Sequence, residues 1–148
     1  MRNKSGKRGH AVIEVALMAP WIFFLFMGVF DFGFYAYAMV SVTNAARSAA
    51  LYTSSGGAGS GLALKANFAC VYVLEELRMM PNVGSSTSCV CSGTNCTAGP
   101  ISLDTTAPNG PDGAPAAQVS VTYTSPQLFP IPGMTGLLTL TRTAVMKQ

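Results

Sequence analysis

The sequence predicts an α+β protein: a long N-terminal transmembrane helix that continues as a stalk, then a second helix and a small antiparallel sheet. Three observations carry that reading. Arg2, Lys4, Lys7 and Arg8 open the chain, and between Glu14 and Asp31 no charged residue occurs, the pattern of a membrane segment with a positive cytoplasmic flank. Beyond a Gly/Ser stretch at 54–61, apolar residues recur at helical spacing over 62–80. Over 118–125 and 137–146, apolar residues and hydroxyls alternate with the period of two expected of half-buried strands.

The 148 residues leave room for one domain plus an anchor. Charged residues make up 10% of the chain and its mean hydropathy is +0.37, values foreign to an ordinary soluble globule. The net charge of +3 would point to nucleic acid if it were spread over the chain. Four of the nine Lys and Arg, however, lie in the first eight residues, and the remaining five face six acids. The basicity reports topology, and no nucleic-acid partner is expected.

Residues 15–30 span about 24 Å as a helix, and extension to residue 40 gives about 39 Å, against a hydrocarbon core of ~30 Å. The helix is long enough to cross. Asp31 would then sit near the far interface, with Phe32, Phe34, Tyr35 and Tyr37 as an aromatic belt. Pro20 removes one backbone donor and can kink the helix. A secretory signal competes for this segment, because Ala36-Tyr37-Ala38 has the small-x-small pattern of a cleavage site and a cut after Ala38 would release a secreted domain. Against it, the apolar run exceeds the roughly 7–15 residues of such signals, and Glu14 and Asp31 punctuate it.

Glu14 is the informative residue. A carboxylate just inside hydrocarbon is expensive unless a cation meets it, so it marks a function with a partner to be named. Gly9 lets the backbone lie extended in a protease cleft. A cut after Gly9 would free the α-amino group of His10, in the same chain or a neighbouring one, as the partner of Glu14.

Gly9, Glu14, the Ala16-Leu17-x-x-Pro20 run, Asp31 and the block Asn44-Ala45-Ala46-Arg47 give residues 9–50 a specific likeness. The segment resembles the amino-terminal domain of TadE-like pseudopilins, minor pilin-like proteins of the tight-adherence (Flp) pilus machinery, and is preceded by what looks like a prepilin-type leader. The resemblance implies cleavage by a prepilin peptidase between Gly9 and His10. It also implies assembly with other pilin-like subunits and with the inner-membrane pilus platform, starting from the lipid bilayer. The expected organisation is a leader over 1–9, a transmembrane helix and periplasmic stalk over 10–53, a linker over 54–61 and a pilin-like periplasmic α+β domain over 62–148. The expected location is the bacterial inner membrane, single-pass, with the N-terminus cytoplasmic. A single-pass membrane-anchored periplasmic binding protein is the alternative, and Glu14 speaks against it because a static anchor has no use for the carboxylate.

Within the external part, Val42, Ala45, Ala46 and Ala49 place one apolar face on the stalk. The second helix shows a stripe of Leu64, Phe68, Val71, Leu74 and Leu77 or Met80, closed by Pro81 and Asn82. Strands are expected over 86–91, 118–125 and 137–146. Segment 97–116, rich in Pro, Gly, Thr and Asn, reads as a long surface loop, and the apolar segment 127–136 as a loop folded onto the core or else a contact surface for the membrane or a neighbouring subunit.

Cys70, Cys89, Cys91 and Cys96 all fall on the non-cytoplasmic, oxidising side, so they read as two disulfides. Cys70–Cys89 with Cys91–Cys96, and Cys70–Cys91 with Cys89–Cys96, are both open. Either choice staples the second helix to the sheet. A four-thiolate zinc site is the rival use of these sulfurs, though paired Cys-x-x-Cys knuckles are missing. His10 is the one histidine and abuts the leader, so no Ser-His-Asp or Cys-His arrangement can form outside the membrane. Glu75 and Glu76 are adjacent and point to different sides of a helix, which rules out an acid/base pair. No catalytic residue, cofactor or metal is expected.

Overall fold

A computed structural model describes residues 8–54, 62–85, 87–110, 112–126 and 138–147. Arg2, Lys4, Lys7, most of the Gly/Ser stretch and the apolar segment 127–136 lie outside the described residues. Helix α1 (Arg8–Ser54) and helix α2 (Leu62–Glu76) precede five strands: β1 (Val90–Ser92), β2 (Asn95–Ala98), β3 (Ile101–Thr106), β4 (Ala116–Ser125) and β5 (Leu138–Lys147). The chain divides into two units, Met1–Ala36 and Tyr37–Gln148, and the division falls inside α1.

In the first unit the helix is apolar all round. Trp21, Phe24, Leu25, Val29 and Phe32 are all exposed, the distribution of a helix that is covered by a membrane or by other helices. It is a candidate membrane span by length and composition, with a mean hydropathy of 2.1 over its most apolar window. Pro20 lies inside the helix without ending it.

The second unit begins with the distal part of α1. Ala38, Val42, Ala45, Ala46, Ala49, Ala50 and Thr53 recur at helical spacing and are buried. Their small size lets the helix backbone come close to what it covers. The sheet is a meander of order β1-β2-β3-β4-β5, antiparallel throughout. Its inward face carries Cys96 and Ala98, Ile101 and Leu103, Val119, Val121 and Tyr123, and Leu140. The opposite face is a hydroxyl array, with Ser120 bonded to Thr143 at 2.9 Å and Thr122 to Thr141 at 3.0 Å.

Two tight hairpins build the first three strands. Ser92 pairs with Asn95 and Ala98 with Ile101, leaving two-residue turns that start at Gly93 (φ 64°) and Gly99 (φ 57°). A positive φ at the first central residue is what a type II′ hairpin turn demands, and glycine supplies it without strain. These hairpins correct the expectation for 97–116. Among the described residues, the loop shrinks to 107–110 and 112–115, tied by the Asn109–Pro115 bridge and the Gly110 amide on the Ala114 carbonyl at 2.7 Å. Ile101, Leu103 and Thr105 alternate inward along β3. The buried Thr105 hydroxyl, donating to the Thr94 carbonyl at 3.1 Å, fills the third inward position of that short pattern.

A second correction concerns α2. It ends at Glu76 and gives way to turns, and its buried face is Ala66, Ala69, Cys70, Val73 and Leu77, while Phe68 and Val71 are exposed. Leu62–Glu76 is apolar on several sides, so the large residues alone do not define its phase. The Cys70–Cys89 disulfide and the close approach allowed by Ala66 and Ala69 turn the small residues inward.

Candidate assembly site

In the first unit, Gly9 and His10 occupy the first turn of α1 and Glu14 follows one turn later. His10 and Glu14 are four residues apart on one helical face, and helical side chains lean toward the N-terminus. The Glu14 side chain therefore leans toward the backbone nitrogen that cleavage would turn into an amine. Its side chain is exposed on the helix surface, open to a neighbouring helix or to lipid. Asp31 lies seventeen residues beyond Glu14 along the same helix, flanked by exposed Phe30 and Phe32.

In the second unit, disulfides join Cys70 to Cys89 and Cys91 to Cys96. The first ties α2 to the segment entering β1, and the second crosses the β1–β2 hairpin. The sulfurs of Cys70, Cys91 and Cys96 lie within 4.8 Å of one another, and all of them are consumed in these bonds. Two disulfides and a four-thiolate metal site are mutually exclusive uses of the same atoms.

Tyr123 locks the turn that follows α2 to the sheet. Its hydroxyl donates to the Pro81 carbonyl at 2.9 Å and lies 3.0 Å from Asn82 Oδ1, while Asn82 Nδ2 donates to the Thr124 carbonyl at 3.0 Å. Asn82 holds the left-handed conformation (φ 63°) that this turn needs. Burial pushes the Tyr123 phenol above its ordinary range. Asp112 is shifted the other way, held down by the Lys147 ammonium and by backbone amides.

Sequence reasoning passed over Arg142. It stands on the inward row of β5, between Leu140 and Ala144, and its Nη2 donates to Met39 Sδ of α1 at 3.0 Å. Arg47 lines the same cleft of about 210 Å³, together with Thr43 and Met146. The signal was present in the alternation itself: Leu140, Arg142, Ala144 and Met146 form one register and the threonines the other.

These features define a class: a helix suited to a bilayer, carrying a charged residue at each end of its apolar run and followed by a small disulfide-stapled α+β unit. Residues 9–51 match the model of the TadE-like protein family, which relates this segment to the Tad (Flp) pilus system. Neither a curated protein nor a solved structure matches the chain. The family match ends at Leu51, within α1, so α2, the disulfides and the sheet all lie beyond it.

Proposed function

We propose that the chain is a minor pilin-like structural subunit of a Tad (Flp) pilus or a related secretion system. A prepilin peptidase removes residues 1–9, and the mature chain stays in the inner membrane with its disulfide-bonded unit in the periplasm. The other pilin-like subunits and the platform then draw it into an assembly. Glu14 carries this reading, because it is a carboxylate at the mouth of an exposed apolar helix whose segment matches the TadE-like family. Its role is to meet the α-amino group of His10, released by the cut, and so to set the axial register between packed helices. A charge-assisted contact of this kind contributes about 1.5–3 kcal/mol.

Coexpression with a prepilin peptidase tests the reading. The expected product begins at His10, and Gly9→Val blocks its formation because a branched side chain clashes in a cleft shaped for glycine. Full-length protein in the presence of active peptidase, or a mature end at Met39, would overturn it. In the processed chain, Glu14→Gln keeps the shape and removes the charge. It should leave membrane levels unchanged and lower co-purification with partner subunits by roughly ten- to a hundred-fold.

A further inference from the structure

Two charged features of the second unit are left uncompensated within the described residues. The first is the cleft shared by Arg47 and Arg142. The ion pairs among the described residues are Arg78–Glu75 and Lys147–Asp112, so neither arginine of the cleft meets a carboxylate there. Arg142 is half-buried, and the partner of its Nη2 is a thioether, a weak acceptor for a group that carries five donors. A guanidinium fork of this kind suits a carboxylate, which it can hold by two parallel bonds.

The second feature is the end of α2. Glu75 and Glu76 fall in its last turn, which contains no basic residue, and there they face the negative end of the helix dipole. Arg78 answers Glu75 at 3.3 Å, which leaves Glu76. Glu76 continues an exposed stripe of the helix at positions 68, 72 and 76, and Met79, 84% exposed, extends it into the following turn. Phe68 and Tyr72 lie against the Tyr52 ring at tilted angles and still keep about half of their surface in solvent. An acid on a stripe with exposed Tyr72 and Met79 offers a partner both an anion for its cation and apolar surface to cover.

The two features are built on different elements of the second unit. Helix α2 packs on β1, β2 and β3, whereas the arginine cleft lies against β5, whose outer edge is unpaired among the described strands. Edge-to-edge pairing of two β5 strands about a two-fold axis would drive Arg142 of one copy toward Arg142 of the other, and like charges disfavour that. A head-to-tail contact instead sets the arginine cleft of one copy against the acidic helix end of the next, and such a contact repeats from copy to copy, as a closed ring or an open filament.

Resting on the reading of the chain as an assembling subunit, we propose that the external units associate head to tail. The acidic end of α2, with Phe68, Tyr72, Glu76 and Met79, docks into the Arg47/Arg142 cleft of a second copy of this chain.

Sedimentation equilibrium of the full chain in detergent, over a range of concentrations, tests this. The parent is expected to form species larger than dimers. Arg142→Glu, Arg47→Glu and Glu76→Arg each weaken that association by about ten-fold or more, and Glu76→Arg combined with either arginine reversal restores it. Arg47 is exposed, so the Arg47→Glu and Glu76→Arg pair keeps the test valid if Arg142→Glu does not fold with both disulfides formed. A monomeric parent, association indifferent to the single reversals, as contacts through α1 alone would produce, or a reversed pair that fails to recover would each overturn the docking. Sequencing the amino terminus of the same samples separates the two readings. An end at His10 with no charge-reversal effect defeats the docking alone, and charge-reversal recovery in chains never cut at Gly9 defeats the processing alone.

Discussion

Leu25 and Leu77 are the same residue in two different settings. Leu25, on the proximal part of α1, is 69% exposed, and Leu77, just after α2, is 0% exposed. Around the first stand phenylalanines, an isoleucine and a valine, equally open. Around the second the protein has closed a core of its own. A solvent-exposed leucine costs little singly, but a whole helix of them has to find an apolar medium, and that medium is external to the chain. The comparison teaches that hydrophobicity alone does not say where a residue is buried: the second unit buries its apolar surface against itself, and the first is left to bury it in lipid or in other helices.

One substitution made in both places separates the two units most clearly. Leu77→Ala should destabilise the second unit by about 2–5 kcal/mol through lost burial and the cavity left behind. Leu25→Ala should leave that stability within error. Hydrogen exchange of the sheet amides in the detergent-solubilised chain reads both, and equal effects would mean that the two units do not stabilise themselves separately.

Next in size is the staple. Replacing Cys70 and Cys89 together by serine should lower the stability of the second unit by about 2–4 kcal/mol, since the cross-link restricts the unfolded chain. Membrane retention of α1, followed by carbonate extraction, should not change. Loss of retention would show that the fold of the external unit governs anchoring.

The smallest effect sharpens the picture within the second unit. The Tyr123 phenol is raised in the folded state, so folding favours its neutral form. Its contribution is complete below the unfolded phenol value of about 10 and is lost as pH climbs from there toward the folded value. Unfolding by urea at pH 8 and at pH 10.5 should show that loss in the parent. Tyr123→Phe should be less stable at pH 8 by about 1–3 kcal/mol, because the Pro81 carbonyl and Asn82 lose their partner, and it should shed this part of the alkaline decline.

Much of this architecture was legible in the residues. Apolar length and charge placement announced α1, and the stalk stripe Val42, Ala45, Ala46 and Ala49 is buried as its spacing implied. The four cysteines are paired in one of the two arrangements that spacing allowed. The phase of α2 was not legible, since Phe68 and Val71 outweigh Ala66 and Ala69 in any hydrophobic count and it is tertiary closeness that selects the small side. Strand β3 was hidden because two-residue turns at Gly93 and Gly99 make strands look like loop composition. The arginine cleft arises from residues 47 and 142, which only the packing of α1 on β5 brings together.

One further consequence follows from the alanine stripe of α1. The same continuous helix is candidate membrane span in its proximal part and core element of the second unit in its distal part. A force applied along α1 reaches the second unit through this buried stretch, and resistance to such pulling is set by the rate of unfolding. Severing the chain ahead of α2 would take Ala38, Val42, Ala45, Ala46, Ala49, Ala50 and Thr53 out of the unit that buries them. The smallest soluble version of this protein should therefore begin near Tyr37, carrying its own piece of the anchor with it.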